Sequence, residues 1–324
     1  MLGEEKTTGM SARALPTTLY LAVLIFVLLV LAGCSKNSAT MAVSKTAGNE
    51  EETVQALEAT GSVPEATVGA SPEEEKIPKT EATVETSPFT DAPQARGAGR
   101  EGADGVLAVR FGKHEGYERT VIDLGTGDQA AWQVPEWNLS SPAGDGLLRV
   151  NFPSVDSTQV SDGTFDSPML KDFHVVRAPE GGMFVDIVSE EAFTYRVLEL
   201  RKPARLVVDF APAPAANLST PPPLTGGNTV VTEPRTVTTA SKTLTVSGYS
   251  RNPEASNDIV VLDSTGKEIV REAVQSNDWT QTWGYFETTL DVPAFYGKGK
   301  LKVGAASPRD GRFEGVRLRL IGGG

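Results

Sequence analysis

The chain has 324 residues, 39% of them apolar, and a formal net charge of −12. So acidic a balance argues against a nucleic-acid binder, which needs clustered Lys and Arg to neutralise phosphates, and against flat adhesion to an anionic bilayer. The one cysteine, Cys34, rules out an internal disulfide, so an exported domain must be large enough to stand on its own apolar core.

Residues 19–33 are an unbroken apolar run of fifteen. A spanning helix needs roughly 20, and the length suits the apolar region of a signal peptide better. Glu4 and Glu5 offset Lys6 and Arg13 ahead of it, and a start at Met10 would remove both acids. The run closes on Leu31-Ala32-Gly33-Cys34, with small side chains where signal cleavage requires them. That ending resembles the lipobox of bacterial lipoproteins, whose cysteine receives a diacylglycerol and becomes the first residue of the mature chain. The resemblance implies a signal peptide over 1–33 and a lipid on Cys34. It places the protein on the outer face of the bacterial cytoplasmic membrane, or on the outer membrane of a diderm host. Several acyl chains anchor stably where one binds only marginally. The competing reading is a short membrane anchor with Cys34 as an ordinary small residue.

Residues 34–102 read as a tether. Between 35 and 102 lie twelve acidic and six basic residues, half of the total net charge, and Phe89 is the only aromatic. Such a segment buries too little apolar area to offset the entropy of ordering it. As a flexible coil it spans about 45 Å, enough to lift a globular part off the membrane.

From Gly105 the texture changes to short alternating runs split by Gly, Pro and Asp. Leu148, Val150 and Phe152 alternate with Arg149 and Asn151, and Leu206, Val208 and Phe210 with Arg205, Val207 and Asp209. This period of two predicts half-buried strands near 106–111, 119–124, 131–134, 147–152, 170–177, 183–188, 194–200 and 205–210. An all-β sandwich or barrel follows. The opening Val109-Arg110-Phe111-Gly112-Lys113-His114-Glu115-Gly116-Tyr117 and the close Lys202-Pro203-Ala204-Arg205-Leu206-Val207-Val208-Asp209-Phe210 resemble the ends of the AMIN-like domain of bacterial surface lipoproteins. The resemblance covers 103–211. AMIN domains proper bring cell-wall amidases to the envelope, so it implies targeting or wall binding rather than chemistry.

Residues 212–229 read as a Pro/Gly-rich linker, with Pro221-Pro222-Pro223 favouring an extended spacer. From 230 to 324 alternation resumes in seven short runs, which suggests an immunoglobulin-like β-sandwich without the disulfide. Leu244-Thr245-Val246-Ser247-Gly248, Trp283-Gly284-Tyr285-Phe286 and Ala306-Ser307-Pro308-Arg309-Asp310-Gly311 resemble the immunoglobulin-like domain of bacterial sporulation and spore-germination proteins. Arg251-Asn252-Pro253-Glu254-Ala255 departs from the family's usual Phe-Glu-Ala core there.

The two histidines, His114 and His174, have no cysteine to join them, so neither a metal site nor a cofactor is expected. Alternation sets His174 on the face opposite Phe173 and Val175, toward solvent. No Gly-x-Ser-x-Gly elbow is present, and Asp263-Ser264-Thr265-Gly266-Lys267 reads as a hairpin turn rather than a phosphate loop. No catalytic residue is assigned. The residues singled out for ligand contact are Tyr117, Trp132 and Trp137 for stacking, with Arg110 and Arg119 for anionic groups. Core packing competes for each tryptophan, and ion pairs with Asp123 or Glu118 compete for the arginines. Three functional readings stand. The first is a non-catalytic, lipid-anchored envelope protein binding peptidoglycan or a protein partner. The second is a structural component of an envelope or sporulation-germination complex with protein contacts only. The third is an unrecognised hydrolase.

Overall fold

A computed structural model describes residues 88–96, 102–141, 145–213, 217–240 and 242–323. Cys34, the apolar run before it and most of the tether lie outside the described residues. The fold is all-β: among the described residues only a 3-10 turn, Pro253–Ala255, is helical, and no helix there is long and apolar enough to cross a membrane.

Alternation builds the first sandwich. In Tyr117–Thr126, Glu118, Thr120, Ile122 and Leu124 turn inward, and in Arg205–Pro212 the inward row is Leu206, Val208 and Phe210. These strands share a six-stranded sheet in the order Phe193–Leu200, Arg205–Pro212, Tyr117–Thr126, Gly105–His114 and Ser157–Thr158, with Gln129–Ala130 pairing off Tyr117–Thr126. Their inward rows pack on Leu148, Val150 and Phe152 of Leu147–Phe152, Val185 and Ile187 of Met183–Ser189, and Val175 of Leu170–Arg177. The apolar residues of these rows are all fully buried, which drives the face-to-face packing. The predicted strand near 131–134 is absent; Gln129–Ala130 and Trp137–Ser140 flank that stretch instead, separated by the turn around Pro135.

The second sandwich sets Leu224–Gly226, Thr229–Glu233, Thr243–Ser250 and Trp283–Asp291 against Thr238–Ala240, Ser256–Leu262, Glu268–Gln275, Tyr296–Ala306 and Phe313–Gly323. Val246, Phe286 and Leu290 meet Ile259, Val261, Leu301 and Val303 across its core.

The two sandwiches share one sheet. Trp283–Asp291 runs parallel to Leu170–Arg177 through the pairs Trp283↔Val176 and Gly284↔Arg177, making a ten-stranded sheet. A Cβ at Gly284 would collide with the backbone of Asp278, so this close approach requires glycine. Beside the junction, Val176 and Phe184 of the first sandwich pack with Val230, Tyr249 and Trp283 of the second. Polar contacts frame that cluster: Trp283 Nε1 donates to Asp162 at 3.1 Å, and Arg177 Nε donates to Asp278 at 3.0 Å. All described residues fall within one compact unit, Lys79–Gly324.

Three further sequence expectations change. The end of the tether belongs to the first sandwich: Thr90 exchanges two backbone hydrogen bonds of 2.8 Å with Tyr195, and Gln94–Arg96 pairs with Trp137–Ser140. Within the stretch read as a linker, Leu224–Gly226 is a strand and Thr220 bridges Asp145. Arg235 binds the Asp145 carboxylate and also donates to Pro221 O at 3.2 Å, so this connection is packed rather than free. Third, His174 is buried. Its ring meets Trp283 edge-on at 4.8 Å and Tyr249 at 5.2 Å, because the second sandwich covers the face that alternation directed to solvent.

Burial makes His174 a pH-sensitive element of this junction. Desolvation holds its pKa below the ordinary 6.5, against the opposing pull of Asp172, Asp186 and Asp162. The folded state therefore binds the proton less readily than the unfolded chain, so stability is full above about pH 6.5 and falls as pH drops toward the depressed folded value. Burial raises the pKa of neighbouring Asp172, which acts in the opposite sense but in the carboxylate range. Urea midpoints should drop between pH 7.5 and 5.5 in the natural protein and drop less in His174→Gln. An unchanged pH slope in the variant would assign the dependence elsewhere.

Candidate functional site

The outward rows of the six-stranded sheet form the candidate site. Register puts Tyr117, Arg119, Val121 and Asp123 on one strand and Arg205, Val207 and Asp209 on the next, facing away from the core. Phe193–Leu200 adds Arg196, directly opposite Asp209. In Gly105–His114 a bulge at Leu107 shifts the phase, so that Arg110, Gly112 and His114 join the same face.

Two equivalent ionic groups result. Asp209, with 0% exposure, accepts Arg119 Nε at 2.6 Å and Nη2 at 2.9 Å on one side and Arg196 Nε at 2.7 Å on the other. Asp123 accepts Arg110 Nε at 2.5 Å and Nη2 at 2.8 Å, and forms an ion pair with Arg205, whose Nε lies 3.2 Å away without a hydrogen bond. The forked geometry is the strong form of the ion pair. The hydrogen bonds to Asp209 hold the Arg119 guanidinium above its ordinary pKa, and Asp123 does the same for Arg110. Val207 between the groups is buried although it faces outward, which the aliphatic stems of long neighbours explain.

Aromatic rings close one end. Tyr117 stacks on His114 at 4.7 Å, and Arg196 lies 4.7 Å from the Phe89 ring and 5.0 Å from Tyr117. At the other end Trp132 is 72% exposed, with Lys202 Nζ 5.0 Å over its ring.

The five residues predicted for ligand contact thus separate. Tyr117, Arg110 and Arg119 share the face, and Trp132 stands free at its margin. Trp137 is corrected: it is 2% exposed in the core, donating Nε1 to Glu199 at 2.8 Å, so no ligand can stack on it. The arginines are ion-paired, Arg119 with Asp209 rather than with the adjacent Glu118. Sequence reading missed Arg196, Arg205 and Phe89. The row Arg205, Val207, Asp209 was a visible signal, since alternation had already placed it opposite the core. Among the described residues, no three His, Cys, Asp or Glu side chains cluster as metal ligands. A cleft between the sandwiches, lined by Arg149, Arg235 and Tyr285, carries no surplus positive charge, because Arg149 and Arg235 each pair with a carboxylate of their own, Asp186 and Asp145.

The described residues form two β-sandwiches, the first with an ordered Arg and aromatic face. Residues 104–212 match the family model of the AMIN-like domain, and residues 228–312 match that of the immunoglobulin-like domain of bacterial spore germination. The chain carries these two binding-type domains in that order. No curated protein and no solved structure matches it.

Proposed function

We propose that the protein is a non-catalytic, lipid-anchored envelope protein that binds wall polymer through the outward face of its AMIN-like domain. The observation that carries this reading is the face itself: four arginines fixed by two carboxylates, between Tyr117 with Phe89 at one end and exposed Trp132 at the other. A sheet face is shallow beside a pocket that encloses a small ligand, so affinity for one unit of polymer is low. Tethering offsets this by raising the effective concentration at the wall. The Leu-Ala-Gly-Cys ending and the acidic segment after it support anchorage at Cys34 and a reach of about 45 Å.

Full-length protein in detergent should sediment with purified walls, and Tyr117→Ala with Trp132→Ala should reduce the bound fraction. Cys34→Ala should abolish fatty-acid labelling in cells and leave the unprocessed precursor; persistent labelling would remove the anchor from this reading. A protein-contact role is the second reading. Tyr296 and Ile321, 78% and 43% exposed, stand on paired strands of one sheet in the second domain, with Val237, 50% exposed, just before the edge strand Thr238–Ala240, and favour it. Retained crosslinks to envelope proteins with no wall sedimentation would select it.

A further inference from the structure

We propose that the ligand of this face is a polyanion whose repeated phosphate or carboxylate groups are held two at a time, one by each Arg–Asp–Arg group. The proposal rests on the reading of the face as a wall-binding site and adds the chemistry it selects.

Charge stoichiometry is the first reason. One arginine neutralises one carboxylate, yet Asp209 and Asp123 each hold two. Each group therefore carries one surplus positive charge, and the outward positions of the four strands contain no other acid. Acids border both ends, Asp91 and Glu115 near Tyr117 and Asp128 in the turn after Tyr117–Thr126, and none of the three lies on the outward rows themselves. On a chain of net charge −12 this face is a local inversion of sign.

Donor geometry is the second. A guanidinium has five N–H donors, and the carboxylates take two from Arg119 and two from Arg110. The same bonds fix the guanidinium planes before any ligand arrives, which lowers the entropy lost on binding an oxyanion. Spacing is the third. Arg119 and Asp123 lie four residues apart on one strand, as do Arg205 and Asp209 on its neighbour, which sets the groups about 13 Å apart. A single small anion cannot span that distance; a chain with repeated anions can.

The charge-balancing pair Arg110→Gln with Arg119→Gln tests this, because each carboxylate keeps one arginine, Arg205 or Arg196. Full-length protein in detergent would be titrated with inorganic polyphosphate, with poly-glutamate, and with walls before and after acid extraction of phosphodiester-linked polymer. The natural protein should bind at least one of the soluble polyanions with an affinity that falls as salt rises, and the pair should weaken that binding at least about tenfold. Loss of wall binding on extraction assigns phosphate as the natural anion; retention after extraction, with loss in the pair, assigns wall carboxylates. Failure of both soluble polyanions at millimolar repeat concentration, or equal binding by the pair, overturns the proposal. If wall binding survives the Gln pair but is lost in Tyr117→Ala with Trp132→Ala, the wall-binding reading stands without this ligand chemistry. Indifference of the walls to every variant would remove both. Should the Gln pair not fold, Arg110→Gln alone, at a side chain 53% exposed, carries the test with an expected loss of about threefold.

Discussion

Trp283→Ala should uncouple the two sandwiches. The indole closes the shared apolar cluster, meets His174 and Tyr249 edge-on at 4.8 and 5.8 Å, and donates to Asp162. Truncating a buried aromatic of this size costs about 3–5 kcal/mol, and here the loss falls on the junction rather than on either separate core. The parallel pairing beside it covers only two residue pairs and cannot hold the sheet continuous alone. In the natural protein, unfolding in urea should give one transition, coincident by far-ultraviolet dichroism and by tryptophan fluorescence, to which Trp137 inside the first core contributes. In the variant the two signals should separate, and limited proteolysis should release the sandwiches as distinct fragments. Coincident transitions with an unshifted midpoint would show that the interface carries no coupling.

The second large effect belongs to Asp186, which is fully buried on the strand Met183–Ser189 and accepts Arg149 Nε at 2.7 Å and Nη2 at 2.8 Å. Arg149 also stacks 3.8 Å from the Phe184 ring. Burial works against the Arg149 charge, but Asp186 outweighs it and holds the guanidinium's pKa above its ordinary value. Asp186→Ala therefore leaves the Arg149 guanidinium, 27% exposed beside the cleft, without its carboxylate and should cost about 1–3 kcal/mol. Arg149→Met strands the fully buried carboxylate and should cost more, about 3–5 kcal/mol. Combining Arg149→Met with Asp186→Leu removes both charges and should recover most of the loss, because an apolar pair of similar volume avoids the desolvation penalty. Urea midpoints of the three variants decide it, and a double variant no better than either single would show that shape rather than charge is lost.

Misreadings of the sequence concentrate at this junction. Met183–Ser189 is buried at every position, yet its alternation of Met183, Val185 and Ile187 reads as a strand with one wet face. Phe184 and Val188, apolar and out of phase with that row, were the trace of a second covered face. His174 occupies the same covered side, and alternation with Phe173 and Val175 directed it to solvent because nothing local marked the second sandwich above it. Phe89 went unread for a related reason: its segment is too polar to fold alone and becomes ordered only by completing two sheet edges already formed by others.

The sequence by itself determined the local structure and the domain types. Alternation depends only on neighbouring residues and on a side-chain period of two, so it located the strands, the inward rows and the arginine-bearing outward ones. The end motifs carried the two family resemblances, and residues 19–34 carried the reading of an anchor. Tertiary structure decided what lies on top of each outward row. One such row, through His174, Phe184 and Asp186, was sealed beneath the second sandwich, while the row through Arg110, Arg119, Arg196 and Arg205 stayed open. It also decided which arginine meets which carboxylate, since Arg119 and Asp209 lie 90 residues apart and meet only across a strand pair. Both outcomes rest on contacts between segments distant in the chain, which no local pattern encodes.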